Sequence, residues 1–233
     1  MSGTLYGVGI GPGDPDLMTV KAHRLISGAP VIAYPALGGG SSFARSIAAD
    51  VIRADACEIV MDVPMTVERA PAQAAYDKGA AEIAARLDQG EDVVCLCEGD
   101  PFFYGSFMYL FARLSADYRV EVVPGVTSIT TCAARAGKPL AARNERLTVL
   151  PGPLPADELK TRIDGAESVV IMKVGRHMSK IRAVIAQLGL TSQASYVERA
   201  SLPEEVVCPL ADAPETAPYF SMILLTKGAD PWL

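Results

Sequence analysis

Short apolar runs bounded by glycine, proline and polar clusters recur along this chain, and the early ones each precede a stretch with helical spacing. Residues 4–10 (TLYGVGI), 31–37 (VIAYPAL), 57–63 (CEIVMDV), 92–97 (DVVCLC) and 119–125 (RVEVVPG) read as strands. Residues 19–27, 42–52, 72–90, 106–115 and 127–137 read as helices. Thr19 fits an N-cap, and Gly28, Gly90 and Gly137 fit helix stops. The run DVVCLC is apolar almost throughout, as a strand covered on both faces requires. This strand–helix alternation predicts a mainly parallel sheet with helices on both faces.

The stretch KPLAARNERL (138–147) is polar, carries Pro139 and follows a helix stop, so it reads as a boundary between domains 1–140 and 141–233. Beyond it RLTVLPG, ADELKTRI, ESVVIMKV and MSKIRAVIAQLGL repeat the strand–helix order. ASYVERA, EEVVCPL and YFSMILLTKG then follow as strands with little helix between them. The expectation is a two-domain α/β protein whose second, smaller domain holds a mixed sheet with antiparallel pairing at its end.

Composition narrows the classes. The 233 residues are 50% hydrophobic and 21% charged, with net charge −6, which suits a packed globular chain and not a disordered one. No dense Lys/Arg run offers a nucleic-acid footprint, and no apolar run is long enough to span a membrane. MSGTLYGV lacks the basic and apolar regions of a secretory signal, so a cytoplasmic location is expected. Five scattered cysteines do not form a disulfide framework. Cys95 and Cys97 share one face of a strand and read as buried small hydrophobes. With only two histidines, His23 and His177, no metal site is expected.

Three glycine–proline loops follow apolar strands: GVGIGPGDPDLMT (7–19), EGDPFFYG (98–105) and VVPGVTS (122–128). The first lacks the third glycine of the dinucleotide fingerprint, and no acid ends the second strand to bind a ribose. Asp14 and Asp16 would repel a phosphate. Together the loops suit a ligand held by backbone hydrogen bonds and aromatic surface, such as an adenosine without phosphates. The glycine-rich stretch 38–46 reads as an anion site, a lid or a plain flexible loop.

These loops, with VVIMKVGRH and YVERASLPEE, fall in the order seen in the tetrapyrrole (corrin/porphyrin) methyltransferases, and nearly the whole chain resembles that family. YGSFMYL, KVGRHMSKIRAVI and YVERASLPEE resemble most its members that methylate precorrin-2 at C-20. The resemblance implies S-adenosyl-L-methionine as cofactor, leaving as S-adenosyl-L-homocysteine, in a cleft between two α/β domains of a homodimer. It implies cofactor contacts from Pro12, Glu98, Gly99, Asp100, Phe103, Thr127, Ser128, Met172 and Ala200. At Glu98 relatives often have glycine. The substrate would be a reduced tetrapyrrole with eight carboxylates, metal-free or loaded with cobalt. No catalytic acid or base stands out, because the sulfonium is already activated and the task is alignment.

An acidic protein must place cations locally to hold such a substrate. Arg176 and His177, with Lys173, Lys180 and Arg199 near them, read either as a carboxylate clamp or as an ordinary solvated helix start. Tyr104 is placed to face substrate, whereas Tyr109 is expected in the core. Other classes stay in view: a non-catalytic tetrapyrrole- or nucleoside-binding module, and an NAD-dependent oxidoreductase, which the missing fingerprint disfavours.

Overall fold

The computed structural model describes residues 2–38, 42–64 and 68–228, and these divide into two compact units on either side of Thr127 and Ser128. The first holds β1 (Thr4–Gly9), α1 (Val20–Gly28), β2 (Val31–Ala36), α2 (Phe43–Ile47), β3 (Cys57–Asp62), α3 (Arg69–Asp88), β4 (Val93–Cys97), α4 (Phe107–Leu114) and β5 (Arg119–Val123). Its five strands are all parallel, in the order β3-β2-β4-β1-β5.

Strand β4 lies at the centre and is buried on both faces, which explains its unbroken apolar run. Val93, Cys95 and Cys97 pack with Ile83, Phe107 and Leu110 of α3 and α4. Val94 and Leu96 pack with Ile26 and Ile47 of α1 and α2. Burial holds the Cys97 thiol well above the usual thiol range, so it is inert packing. Thr19 caps α1 by accepting from the amide of Ala22 at 3.1 Å.

Helix α2 is shorter than the spacing over 42–52 predicts. It ends at Ile47, and turns carry the chain on while Val51 and Ile52 still pack on the core. Turns thus mimic the helical period at this point. Ser42 caps α2 through the Arg45 amide. Residues 39–41 of the glycine-rich stretch read as an anion site or lid, and residues 66–67 before α3, lie outside the described residues.

The second unit holds α5 (Ser128–Ala136), β6 (Leu147–Pro151), α6 (Ala156–Asp164), β7 (Ser168–Met172), α7 (Met178–Gln187), β8 (Ala194–Glu198), β9 (Val206–Pro209) and β10 (Ser221–Thr226). Its sheet runs β6-β7-β10-β8-β9. Only β6 and β7 pair in parallel, and the other three pairings are antiparallel. Helices α6 and α7 cover one face, and α5 covers the other with Ile129, Cys132 and Ala133 on Val170, Val197 and Leu224. That packing places α5 with the second unit, whereas the polar stretch after it put the boundary at 140. A boundary follows where side chains pack, and α5 turns its apolar stripe to the second sheet.

Leu96 is fully buried at the centre of the first sheet. Leu96→Ala is expected to cost about 2–5 kcal/mol, read as a lower urea midpoint. An unchanged midpoint would contradict this packing.

Candidate functional site

In the first unit the three glycine–proline loops leave adjacent strands, since β1 lies between β4 and β5. After β1 the chain passes to α1, and after β4 to α4, on opposite faces of the sheet. Neighbouring strands whose chains leave to opposite faces create the crevice where ligands of parallel α/β sheets bind.

Backbone closes the floor of this crevice. Gly99 donates to the carbonyl of Gly11 at 2.8 Å, and Gly11 donates back at 3.4 Å. A Cβ added to Gly9 would lie 2.6 Å from both the Gly99 carbonyl oxygen and the Gly125 nitrogen. One added to Gly125 would lie 2.0 Å from the same Gly99 oxygen. The close approach these glycines permit is therefore of the three loops to one another. Gly11 and Gly99 also take positive φ angles of 86° and 62°, which favour glycine.

Asp100 completes the join. One carboxylate oxygen accepts from the amides of Phe102 (2.9 Å) and Phe103 (3.0 Å), and the other accepts from Gly125 at 3.1 Å. Its side chain thus shapes the turn after β4 and ties it to the loop after β5. The sequence does not show this use, because the partners are backbone amides. Asp14, whose charge counted against a phosphate, caps the following turn through the Asp16 amide at 2.9 Å.

Pro12 is half-buried beside this floor, and Thr127 is half-buried at the end of the unit. Phe103 and Tyr104 are exposed after β4, with Tyr104 at φ 55°. Glu98 keeps an open face to solvent, yet protein atoms crowd its carboxyl and raise its pKa, against a hydrogen bond from the Ala44 amide. Its side chain is thus turned to the start of α2. Tyr109 is not a core residue. Helix α4 buries Phe107, Leu110 and Leu114, so Tyr109 falls on the outer side, 50% exposed, with its ring 5.1 Å from that of Tyr76.

In the second unit the turns after β7 and β8 lie at one end of the sheet with the start of β10, since Met222 pairs with Met172 and Ser221 with Glu198. Met172 is half-buried as the last residue of β7, and Ala200 is buried just past β8. Ser128 begins α5 and is half-buried. Backbone strain gathers at this end. Lys173, Arg199 and Ser201 have φ of 58°, 48° and 69°, a region non-glycine residues adopt at a cost of about 1–2 kcal/mol each.

The expected cations separate here. Arg176 is exposed and makes no ion pair among the described residues. Lys180 donates to the Leu154 carbonyl, and Arg199 pairs with Glu198 at 2.8 Å. Burial, reinforced by Lys180 and Arg176, pushes His177 below the usual imidazole value. At neutral pH it therefore offers a hydrogen bond and no charge. Among the described residues no group of three or more His, Cys, Asp or Glu is placed to hold a metal ion, and no helix is long and apolar enough to cross a membrane.

The family model for tetrapyrrole (corrin/porphyrin) methylases matches residues 4–214. The chain belongs to this family. Over 98% of its length it is 41% identical to the precorrin-2 C(20)-methyltransferase of a Sinorhizobium species, covering 97% of that protein. It is 43% identical, over 97% of its length, to the cobalamin biosynthesis protein CobIJ of Mycobacterium tuberculosis, and spans about half (46%) of that relative. The solved uroporphyrin-III C-methyl transferase of Thermus thermophilus, complexed with S-adenyl homocysteine, superposes with a TM-score of 0.68 at 26% identity, over 95% of this chain and 97% of that one. Tetrapyrrole methylase membership agrees with the two sheets and with the order of the loops.

The geometry of the loops and of His177 leads to two expected outcomes. Asp100→Ala leaves three amides without their acceptor and is expected to lower stability by about 1–3 kcal/mol, with faster amide exchange at Phe102, Phe103 and Gly125. Unaltered exchange there would contradict the tie. The His177 ring signal is expected to titrate below the ordinary histidine midpoint in an NMR titration. The unfolded chain then takes up the proton first, so this group removes stability as pH falls through that range. A midpoint at or above the ordinary one would contradict the described burial.

Proposed function

We propose that this chain transfers a methyl group from S-adenosyl-L-methionine to C-20 of precorrin-2, giving precorrin-3A in corrinoid biosynthesis. The observation that carries the reading is the glycine-tied crevice at the ends of β4, β1 and β5. Its loops, 9–14, 98–105 and 124–127, contain no Lys or Arg and three acids, Asp14, Glu98 and Asp100. Such a lining suits a nucleoside carrying a positive sulfonium and disfavours a polyphosphate. The 41% identity to a precorrin-2 C(20)-methyltransferase along nearly both whole chains supports the substrate.

In this reading Pro12, Glu98, Gly99, Asp100, Phe103 and Thr127 hold the cofactor, and the likeness to the family adds Ser128, Met172 and Ala200 as contacts. Asp100 acts through the loops it ties, and the backbone they present does the binding. The cofactor supplies a methyl already activated by its positive sulfur. The chain's own work is to align the electron-rich carbon with that methyl and to exclude water. Arg176 takes a substrate carboxylate through a charge-assisted bond, His177 adds a neutral hydrogen bond, and Tyr104 lines the substrate side. The protein acts as a cytoplasmic homodimer, which light scattering of the purified protein checks. The alternative substrate is cobalt-factor II.

Calorimetry is expected to show micromolar binding of S-adenosylhomocysteine, and the metal-free substrate is expected to turn over faster than the cobalt-loaded one. Preference for the cobalt form would favour the alternative, and absence of both binding and methylation would overturn the reading. Arg176→Ala is expected to raise the substrate KM by about tenfold, as loss of a charge-assisted bond does, with cofactor affinity unchanged. Equal effects on both would remove Arg176 from the substrate site.

A further inference from the structure

Glu98 places a carboxyl at the crevice that the joining of the loops does not use. Val94 and Leu96 of β4 pack with α1 and α2, and the two-residue period of a strand carries Glu98 to that same face. The chain itself leaves β4 for the other face, toward α4. The backbone of Glu98 is fixed on both sides. The Ile10 amide donates to the Cys97 carbonyl at 3.0 Å, and the Gly99 amide donates to the Gly11 carbonyl at 2.8 Å. Glu98 is thus held at the strand end with its side chain turned to the start of α2, a helix that packs on β2 and β4.

The carboxylates of the crevice loops are not alike. Asp100 uses both oxygens on the amides of Phe102, Phe103 and Gly125, and Asp14 accepts from the Asp16 amide. Glu98 accepts from the Ala44 amide. A carboxylate has about four acceptor positions, so one amide fixes its direction and leaves it able to take a proton. Among the described residues it makes no ion pair, because the groups of the neighbouring elements are turned elsewhere. Arg45 of α2 donates to Glu58 of β3 at 3.0 Å, and the Tyr34 hydroxyl of β2 donates to the same carboxylate. Protein atoms crowd the Glu98 carboxyl and raise its pKa, which makes its anion a stronger base than a solvated glutamate. An apolar side chain would fill this place without the cost of desolvating an acid that has no cation, which points to a use for the carboxyl.

Methyl transfer to C-20 creates the need for such a group. The new carbon–carbon bond forms with an electron pair of the macrocycle as the carbon–sulfur bond breaks, and the sulfonium leaves as a neutral thioether. C-20 then carries both its hydrogen and the methyl, and the macrocycle holds the positive charge. Loss of the C-20 proton returns that bond's electron pair to the ring and removes the charge. A positioned base takes the proton in this step.

We propose that the Glu98 carboxylate accepts the C-20 proton, becoming a carboxylic acid that passes the proton to solvent through its open face. The assignment rests on the proposed C-20 methyl transfer and names the group that completes it. The backbone of the 98–100 segment serves the cofactor, and the Glu98 side chain meets the substrate.

Glu98→Gln tests it, since the amide keeps the size and an acceptor for Ala44 but takes no proton. The kcat is expected to fall about a hundredfold, the lower range for a general base. Substrate KM and S-adenosylhomocysteine affinity are expected to stay within about twofold of the original, a margin below the effect of one lost contact. Deuterium at C-20 is expected to slow the variant more than the original chain, because proton loss then limits the rate. An unaltered kcat in the variant overturns the proposal. So does a fall in kcat matched by an equal loss of S-adenosylhomocysteine affinity, or one without a larger isotope effect, since either would make Glu98 a structural support of its loop. An original chain that binds S-adenosylhomocysteine but methylates neither the metal-free nor the cobalt-loaded substrate overturns the proposed function and this assignment with it. An active original chain with an equally active variant overturns the assignment alone.

Discussion

The first unit depends on one constraint: three loops must meet backbone to backbone at the ends of β4, β1 and β5. A Cβ at Gly9 or Gly125 would strike the Gly99 carbonyl, and Gly99 itself takes a positive φ, so glycine is favoured here by the protein's own packing before any ligand is considered. The paired bonds between Gly11 and Gly99 and the three amides collected by Asp100 lock that meeting. A crevice built this way is rigid and presents backbone polar groups without positive charge. Rigidity matters for a methyl transfer, because the reacting atoms must be in line and each misplacement costs rate.

The second unit meets the opposite electrostatic demand. To take the proposed acidic substrate, a chain of net charge −6 has to concentrate cations at one place and keep others from competing. Lys180 is turned to a carbonyl and His177 is held neutral, which leaves guanidiniums as the charged groups best suited to planar recognition of carboxylates. The strained φ angles at Lys173, Arg199 and Ser201 mark the turns that shape this end of the sheet. Such strain persists where surrounding bonds enforce it, as the buried Glu198 and Tyr196 do for Arg199.

Most of the fold is legible in the sequence because strand and helix periods differ and each element obeys its own. The buried run of β4, the cap at Thr19 and the antiparallel end of the second sheet all follow from local pattern. The failures share a cause. Periodicity tells which side chains are apolar but not what they meet. Turns after Ile47 preserve a helical spacing, Tyr109 sits one residue beyond the buried stripe of α4, and α5 packs with the sheet that follows it. The candidate site divides in the same way. The loops are visible as motifs, yet the use of Asp100 as a tie between loops depends on amides far apart in sequence. The alternation of Tyr196 and Glu198 in β8 does place them on one face, a signal that becomes meaningful once Arg199 is seen bonded there.

In the proposed function the loops joined by Gly9, Gly99 and Gly125 cradle the cofactor. Amide hydrogen exchange with and without S-adenosylhomocysteine tests it most directly. Slowed exchange on binding is expected at residues 9–14, 98–103 and 125–128, above that seen on helices α3 and α6. Binding that leaves these amides unchanged, or that protects other segments in their place, would contradict it.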